Sequence, residues 1–221
     1  MKAFQRMKKV HPSLTSVQSD LRQVNNQESR REEAEVLTVW RKSLLFNCSG
    51  FTVYDAKGNL VFRVDNYGSD CKSEVVLMDA TGKPLFSIRK KRQLNLGYHW
   101  VIYNKEDSTN PLLSVKRHTT MRNKKSLAEV TPFAPSLSTS SFLAEGSYAQ
   151  RCCTFQNNEG TQVAEIRRKE VLTSSGGVNF GDDVFQLVVE PEIDTCLAMG
   201  IVIALDQMAA SRPYLMRSWS S

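Results

Sequence analysis

The stretch Cys196-Leu-Ala-Met-Gly-Ile-Val-Ile-Ala-Leu205 is a run of ten apolar or small residues near the end of a 221-residue chain. Asp194 stands just before it in the position of a helix N-cap, so the pattern predicts an α-helix near 194–209. The run is about half as long as the ~20 apolar residues that a membrane span needs, and its flanks are polar, which disfavours a transmembrane span. A helix that is apolar on every side must be buried on every side.

The sequence before this helix is built of β-hairpins. An apolar pair, Asp or Asn, two small or polar residues and Gly stand before a second apolar run at Val53–Gly58, Leu77–Gly82 and Phe155–Gly160. Gly adopts a positive φ at low cost, and Asp or Asn hydrogen-bonds the backbone of its own turn, so each copy predicts a tight hairpin. A looser copy with a longer loop joins Val101–Asn104 to Leu112–Val115.

Further strands are predicted from runs of β-branched, aromatic and alternating residues. These strands are Val36–Phe46, Ser73–Met78, Leu94–Tyr103, Ser126–Val130, the alternating run Phe142–Phe155, and Phe185–Val189. Thr131–Ser141, with two prolines and a Ser/Thr cluster, is predicted to be a surface loop.

The buried helix and the hairpins together indicate how the sheet is arranged. An eight-stranded barrel fills its interior with side chains, whereas a helix about 10 Å wide needs a larger ring. Four hairpins and the flanking strands give about a dozen strands, which is enough to close around the helix. The fold class is therefore predicted to be mainly β, a closed antiparallel barrel with a central hydrophobic helix. The alternative is a β-sandwich with the helix on one face.

The composition suggests one domain and a reducing compartment. Residues 1–35 are predicted to be a flexible arm, 36–212 the barrel domain and 213–221 a C-terminal tail. Five cysteines, with no CxxC spacing, favour neither a disulfide framework nor a zinc site, and Cys152 and Cys153 are expected to point to opposite faces of one strand. No secretory signal is visible. The expected location is intracellular, in the cytoplasm or peripheral at the plasma membrane, with the nucleus as an alternative.

Three stretches carry a specific resemblance. The sequence resembles plant LURP-one-related proteins over about Val36 to Arg212. The residues and order that carry the resemblance are those of Leu37–Phe46, Gly50–Tyr67 and Val189–Asp194, which leads into the apolar run. That family is related in fold to the tubby C-terminal domain and to phospholipid scramblases. The resemblance implies a twelve-stranded barrel around a central helix, and it suggests roles in pathogen defence and in membrane-tethered transcriptional regulation.

The positive charge is concentrated in one part of the chain. The whole chain has a formal net charge of +6, whereas the segment 82–125 holds eleven basic and two acidic residues, 11 − 2 = +9. Three hairpins end in basic clusters, and equivalent offsets from the turn predict that these clusters gather at one rim. The predicted anion-binding residues are Arg89, Lys90, Lys91, Arg92, Lys116, Arg117, Arg167 and Arg168.

Several nearby Lys and Arg side chains suit phosphorylated inositol headgroups, and tubby-type domains bind phosphoinositides, so anionic membrane lipid headgroups are the predicted partner. The opposing interpretation is that these side chains keep outward strand positions soluble and protect strand edges. Nucleic acid is disfavoured, because no helix-turn-helix, zinc finger or RNA-recognition motif is present.

No enzyme motif is found. The chain has no P-loop, no Gly-x-Ser-x-Gly and no dinucleotide fingerprint, and its three histidines lack metal-ligand spacing. Scramblases carry an acidic calcium segment before the final helix, and Asn179–Val184 lacks its alternating acids. The sequence therefore predicts a non-enzymatic regulatory module without cofactor or metal. The alternatives are a protein-interaction scaffold whose partners are proteins, and a transcriptional regulator.

Overall fold

The computed structural model describes residues 33–44, 49–66, 74–93, 97–105, 109–118, 126–133, 141–173, 176–179 and 181–210. Within these described residues, fourteen strands precede one helix. The strands are β1 (Glu35–Trp40), β2 (Ser49–Tyr54), β3 (Leu60–Asn66), β4 (Glu74–Asp79), β5 (Pro84–Gln93), β6 (Gly97–Asn104), β7 (Pro111–Arg117), β8 (Ser126–Pro132), β9 (Phe142–Ser147), β10 (Cys152–Asn157), β11 (Gln162–Arg168), β12 (Glu170–Thr173), β13 (Gly176–Asn179) and β14 (Val184–Val189).

Twelve of these strands close into one antiparallel barrel. Its order is β1-β14-β11-β10-β9-β8-β7-β6-β5-β4-β3-β2, and β1 pairs with both β14 and β2 to complete the ring. β12 and β13 form a separate two-stranded sheet. The closed barrel of about a dozen strands is confirmed, and the sandwich alternative is wrong.

The C-terminal helix α1 (Thr195–Ala210) fills the barrel. Its residues 197–206 are all buried, and the apolar side chains among them belong, with the inward residues of the strands, to one core. The predicted N-cap is present, because the Leu197 amide donates a 2.8 Å hydrogen bond to Asp194 Oδ1. Within the described residues, no helix is both long and apolar enough to cross a membrane.

Glycine lets this helix approach the wall closely. A Cβ at Gly200 would lie 3.3 Å from Ile102 Cδ1 on β6, which is tighter than ordinary contact. A Cβ there would require the Ile102 side chain or the helix to shift by a few tenths of an ångström.

The three hairpin turns have the predicted chemistry. Gly58, Gly82 and Gly160 have φ of 85°, 92° and 80°. Asp55 Oδ1 accepts hydrogen bonds from the amides of residues 57 and 59, and Asp79 and Asn157 accept the equivalent pairs in their own turns. The turn amides also lower the pKa of Asp55 and Asp79, after the larger effect of the Asn59 and Thr81 side chains respectively. These aspartates shape the backbone.

The antiparallel order gives the barrel two distinct ends. All three glycine turns lie at one end, which we call the turn end. Strands β5, β7 and β11 run in the same direction and finish at the opposite end. We call that opposite end, where Gln93, Arg117 and Arg168 complete these strands, the basic rim.

Two strand predictions were wrong in their bounds. β1 ends at Trp40 rather than Phe46, because the Lys42 amide turns back to Trp40 O and the Arg41 amide bonds Asp183 O. The alternating run 142–155 is two strands, since residues 148–151 form a turn in which Arg151 has a φ of 52°.

The predicted loop Thr131–Ser141 begins later than expected, because Thr131 and Pro132 pair with β7 as part of β8. Residues 1–32 of the predicted arm, the tail 213–221, Cys48 and Cys71 lie outside the described residues.

Candidate functional site

All eight predicted anion-binding residues lie on the last part of β5, β7 or β11, and the strand directions place these ends at the basic rim. They do not form one cluster. β11 is six steps from β5 in a ring of twelve, whichever way the ring is followed. The rim therefore carries two patches on opposite sides: the β5–β7 patch, comprising Arg89–Arg92, Lys116 and Arg117, and the β11 patch, Arg167 and Arg168.

Three of the arginines are held by partners in the barrel itself. Arg117 Nη2 donates to Met208 O at 2.9 Å, which satisfies a carbonyl of the last turn of α1 and places a cation at the negative end of the helix dipole. Arg167 Nε donates to Gln186 Oε1 at 3.0 Å, and Arg168 Nε donates to Gln150 O at 3.0 Å. These contacts stabilise the fold whether or not a ligand is bound.

Arg89 is also engaged. Its Nε donates to Ser87 Oγ at 3.0 Å and its guanidinium lies 4.8 Å from the centre of the Tyr103 ring. Glu74 lies 3.3 Å from Arg89 Nε, and the pKa of Glu74 is lowered first by its hydrogen bond from Ser87 and then by the charges of Arg89 and Lys105. Arg89 is thus part of a paired outer-wall cluster.

The remaining lysines and arginine of the β5–β7 patch could contact a ligand. Among the described residues, no hydrogen bond or ion pair engages Lys91, Arg92 or Lys116, and Lys91 and Arg92 are exposed. Lys90 Nζ lies 4.4 Å from the centre of the Tyr98 ring in a cation–π contact, and no acidic side chain pairs with it within the described ranges. Four cations at the ends of two strands therefore have no compensating carboxylate in the described part of the chain.

The effect of this positive charge is visible at His99. Burial lowers the pKa of His99, and the charges of Lys116 and Lys91 lower it further. A cationic imidazole is thus disfavoured beside two ammonium groups, as expected where the local potential is positive.

Large apolar side chains are exposed at the same rim. Trp40 is 40% exposed at the end of β1, Leu44 is 51% exposed in the connection that follows, and Tyr98 is 59% exposed at the start of β6. Lys42 Nζ lies 5.1 Å from the centre of the Trp40 ring. Sequence reasoning missed Trp40 and Leu44 because it extended the first strand to Phe46, whereas β1 ends at Trp40 and Leu44 lies beyond it.

A polar network built on the buried side chains Tyr148, Arg151 and Asp206 lies beside the rim. Asp206 on α1 accepts a 3.2 Å hydrogen bond from Tyr148 Oη and pairs with Arg41 Nε at 3.1 Å. Burial, followed by the charge of Asp206, raises the pKa of Tyr148. The Arg151 guanidinium lies between the rings of Tyr148 and Phe185, 4.3 and 4.4 Å from their centres. The network ties the end of the helix to the wall beside the basic rim.

Nothing in this arrangement suggests a metal centre. Within the described ranges, no group of three or more His, Cys, Asp or Glu side chains could hold a metal ion.

Comparison with known proteins gives a consistent result. The family model described as LURP-one-related matches residues 35–206. The chain is 45% identical to Protein LURP-one-related 8 of Arabidopsis thaliana over 208 residues, covering 93% of this chain and 100% of that protein. It is 39% identical to Protein LURP-one-related 17 of the same plant, covering 78% and 82%. An X-ray structure of an Arabidopsis thaliana protein superposes with a TM-score of 0.55 at 22% identity, covering 80% of this chain and 91% of that one, which supports the fold.

Proposed function

Because the chain belongs to the LURP-one-related family, and because its barrel concentrates uncompensated cations at one end, we propose that it is a non-enzymatic module that binds anionic phospholipid headgroups, with phosphoinositides as the preferred class. The basic rim faces the membrane. The unpaired cations of the β5–β7 patch contact headgroup phosphates, and the exposed apolar side chains enter the interface.

One observation carries this proposal: unpaired cations and exposed apolar side chains share one end of the barrel. Of the four large apolar side chains that are exposed among the described residues, three (Trp40, Leu44 and Tyr98) lie at the basic rim. Tryptophan and tyrosine are enriched where a protein meets the membrane–water interface. Tyr98 is directly opposite Arg92 across β5 and β6, whereas Trp40 and Leu44 lie four strands from β5 around the ring. If the cations served solubility alone, exposed apolar side chains would not be expected at the same end of the barrel.

The structure changes which residues the proposal rests on. Lys90, Lys91, Arg92 and Lys116 remain the lipid contacts, whereas Arg89, Arg117, Arg167 and Arg168 have partners within the barrel. Replacing one of those four arginines would change the stability of the barrel as well as its charge. The test therefore uses the unpaired side chains.

The experiment is vesicle flotation of the whole chain. Protein is mixed with neutral phosphatidylcholine vesicles, or with the same vesicles containing phosphatidylinositol bisphosphate, at about 0.1 M and about 0.5 M salt. The protein is expected to bind the anionic vesicles and not the neutral ones. Binding is expected to weaken at high salt, because salt screens exposed charges. A basic residue near an anionic leaflet contributes about 1 kcal/mol, so the double variant Lys91→Ala/Arg92→Ala should lower the partition coefficient about 30-fold.

The matched control is Lys57→Ala/Lys83→Ala. It removes the same charge from exposed positions in two hairpin turns at the opposite end of the barrel. An equal loss in both double variants would mean that net charge, rather than the basic rim, attracts the vesicles. Absence of binding by the unaltered protein would reject the lipid function.

We further propose that lipid binding serves a regulatory role in plant defence, with the module held at the membrane until a signal releases it. Release predicts that a fluorescent fusion moves from the cell periphery to the nucleus when the lipid is hydrolysed. A fusion that stays at the periphery would reject membrane-tethered transcriptional regulation.

The second candidate is a protein-interaction scaffold. It is favoured by the four arginines that are engaged within the barrel, since these show that part of the basic character serves the fold. The scaffold hypothesis predicts no vesicle binding at either salt concentration.

A further inference from the structure

A second candidate site lies on the outer wall of the barrel. Trp100, Val115 and Val130 belong to the helix-filled core, so the residues that alternate with them on β6, β7 and β8 face outward. Outward side chains of these three strands, together with Pro132 at the end of β8 and Phe133 after it, border a pocket of about 200 Å³. It is lined by His99, Ser114, Lys116, Thr131, Pro132 and Phe133.

Strand register brings the polar groups of this pocket together. His99 is directly opposite Lys116 across β6 and β7, and Ser114 is directly opposite Thr131 across β7 and β8. Side chains that face each other in this way have Cβ atoms about 5 Å apart. An ammonium group, an imidazole and two hydroxyl groups therefore border one small space.

Two of these groups have unmet hydrogen-bonding capacity. His99 Nδ1 and Ser114 Oγ are buried, and neither has a partner in the described part of the chain. Ser114 is 4% exposed, so its hydroxyl bears the free-energy cost of desolvation without a compensating hydrogen bond. More than about 90% of buried polar groups in proteins are satisfied, so two unsatisfied groups bordering one pocket indicate that something else pairs with them.

The charge of the pocket favours an anion. Lys116 is its one formally charged lining residue at neutral pH, because burial, Lys116 and Lys91 all keep the pKa of His99 low. Glu129 is opposite Lys116 in the β7–β8 register and is exposed, yet no ion pair within 4 Å joins them in the described structure. Lysine, the two hydroxyls and an imidazole protonated on Nδ1 can all donate hydrogen bonds to an oxyanion.

The other side of the pocket is apolar. Phe133, which is 50% exposed, and Pro132 lie next to the polar groups. A volume of about 200 Å³ is below the 300–1,000 Å³ typical of drug-sized ligands. The space therefore suits a compact molecule that combines one negative charge with an apolar body.

We propose that this outer-wall pocket binds a small carboxylate with an apolar, ring-sized body, whose oxygens accept hydrogen bonds from Lys116, Ser114 and His99 while its body packs on Phe133. This site is separate from the lipid contacts of the rim except for Lys116, which borders both.

Benzoate is the probe, and binding to the whole chain is followed by isothermal titration and by NMR of the His99 ring. A ligand this small is expected to bind with a Kd on the order of 1 mM. Benzamide has the same shape without the charge, and acetate has the charge without the ring. Benzamide and acetate are each expected to bind at least about tenfold more weakly than benzoate. Inorganic phosphate distinguishes a general oxyanion site from one that requires the apolar body.

Two variants test the contacts. Lys116→Met keeps most of the side-chain length and removes the charge, so it should weaken benzoate binding at least about tenfold. Ser114→Ala removes a hydroxyl that is unpaired in the free protein, so the variant should fold at least as well as the original and bind benzoate several-fold more weakly.

Vesicle flotation separates this proposal from the lipid function, because Ser114→Ala leaves all rim cations in place and should float normally. Equal affinity for benzoate and benzamide, unchanged benzoate binding by Ser114→Ala, or no benzoate binding at 10-fold above the expected Kd would each overturn the proposal.

Discussion

At the scale of single residues, neighbouring positions on one strand meet opposite environments. Cys152 is exposed whereas Cys153 is 2% exposed, as strand alternation predicts. Burial raises the pKa of the Cys153 thiol to about 12, and the neighbouring Cys152 contributes to this shift. Burial likewise raises the pKa of Cys196 on α1 to about 12.

These environments predict different thiol reactivities. Since the thiolate is the reactive form, iodoacetamide should alkylate Cys152 at least about tenfold faster than Cys153 or Cys196 in the folded protein at pH 8. Peptide mapping by mass spectrometry after short labelling times measures the three rates. In urea the difference should vanish, and equal rates in the folded protein would contradict the burial of Cys153 and the partial burial of Cys196.

Gly50 provides a test of backbone proximity. A Cβ at Gly50 would lie 1.8 Å from Val64 O, so Gly50→Ala requires β2 and β3 to separate and should lower the free energy of unfolding by about 3 kcal/mol or more. Gly160→Ala is the matched control, because open space surrounds Gly160 and its positive φ alone costs about 1–2 kcal/mol. Urea denaturation compares them, and equal losses would refute the close approach.

At the scale of elements, α1 is held at both ends by different chemistry. Asp194 caps its N-terminus, and Arg117 bonds a carbonyl of its last turn. Thr195 Oγ1 also donates to Glu35 Oε2 on β1 at 2.7 Å. These contacts fix where the apolar helix lies along the barrel.

The N-cap can be tested without changing the core. Asp194→Ala removes the acceptor for the Leu197 amide and should lower the free energy of unfolding by about 1 kcal/mol. Asp194→Asn keeps an acceptor and should retain most of the stability. If both variants lose the same amount in urea denaturation, the charge rather than the hydrogen bond would be the stabilising feature.

At the scale of the whole molecule, α1 and all twelve barrel strands contribute side chains to a single core. Ile203 is fully buried within that core. A defect at this position is therefore shared by the whole ring, and the described domain should unfold as one unit.

Ile203→Ala tests this cooperativity. The variant should lose about 2–5 kcal/mol, and far-UV circular dichroism and tryptophan fluorescence should shift to the same lower midpoint. Separate midpoints for the two probes would contradict a shared core. Val61→Ala, at a partly buried position, is the control and should lose less.

Local patterns in the sequence were sufficient for the turns and the helix. Asp55 and Gly58 specify their hairpin within four residues, and Asp194 caps a continuous apolar run. The position of the candidate site was predicted in part. Equal offsets of the basic clusters from the hairpin turns indicated that the clusters lie at one end of the barrel. The partner of Arg117 is 91 residues away on α1, so it depends on ring closure and could not be found locally. The outer-wall pocket likewise needs the registers of three strands.

The ring closes by pairing β1 with β14, and the helix that fills it follows β14 in the chain. During synthesis, every strand of the wall therefore leaves the ribosome before the segment that completes its interior. The inner faces of the early hairpins stay exposed to solvent until then. We therefore expect a message cut short before the codon for Thr195 to yield an aggregation-prone product rather than a smaller folded protein.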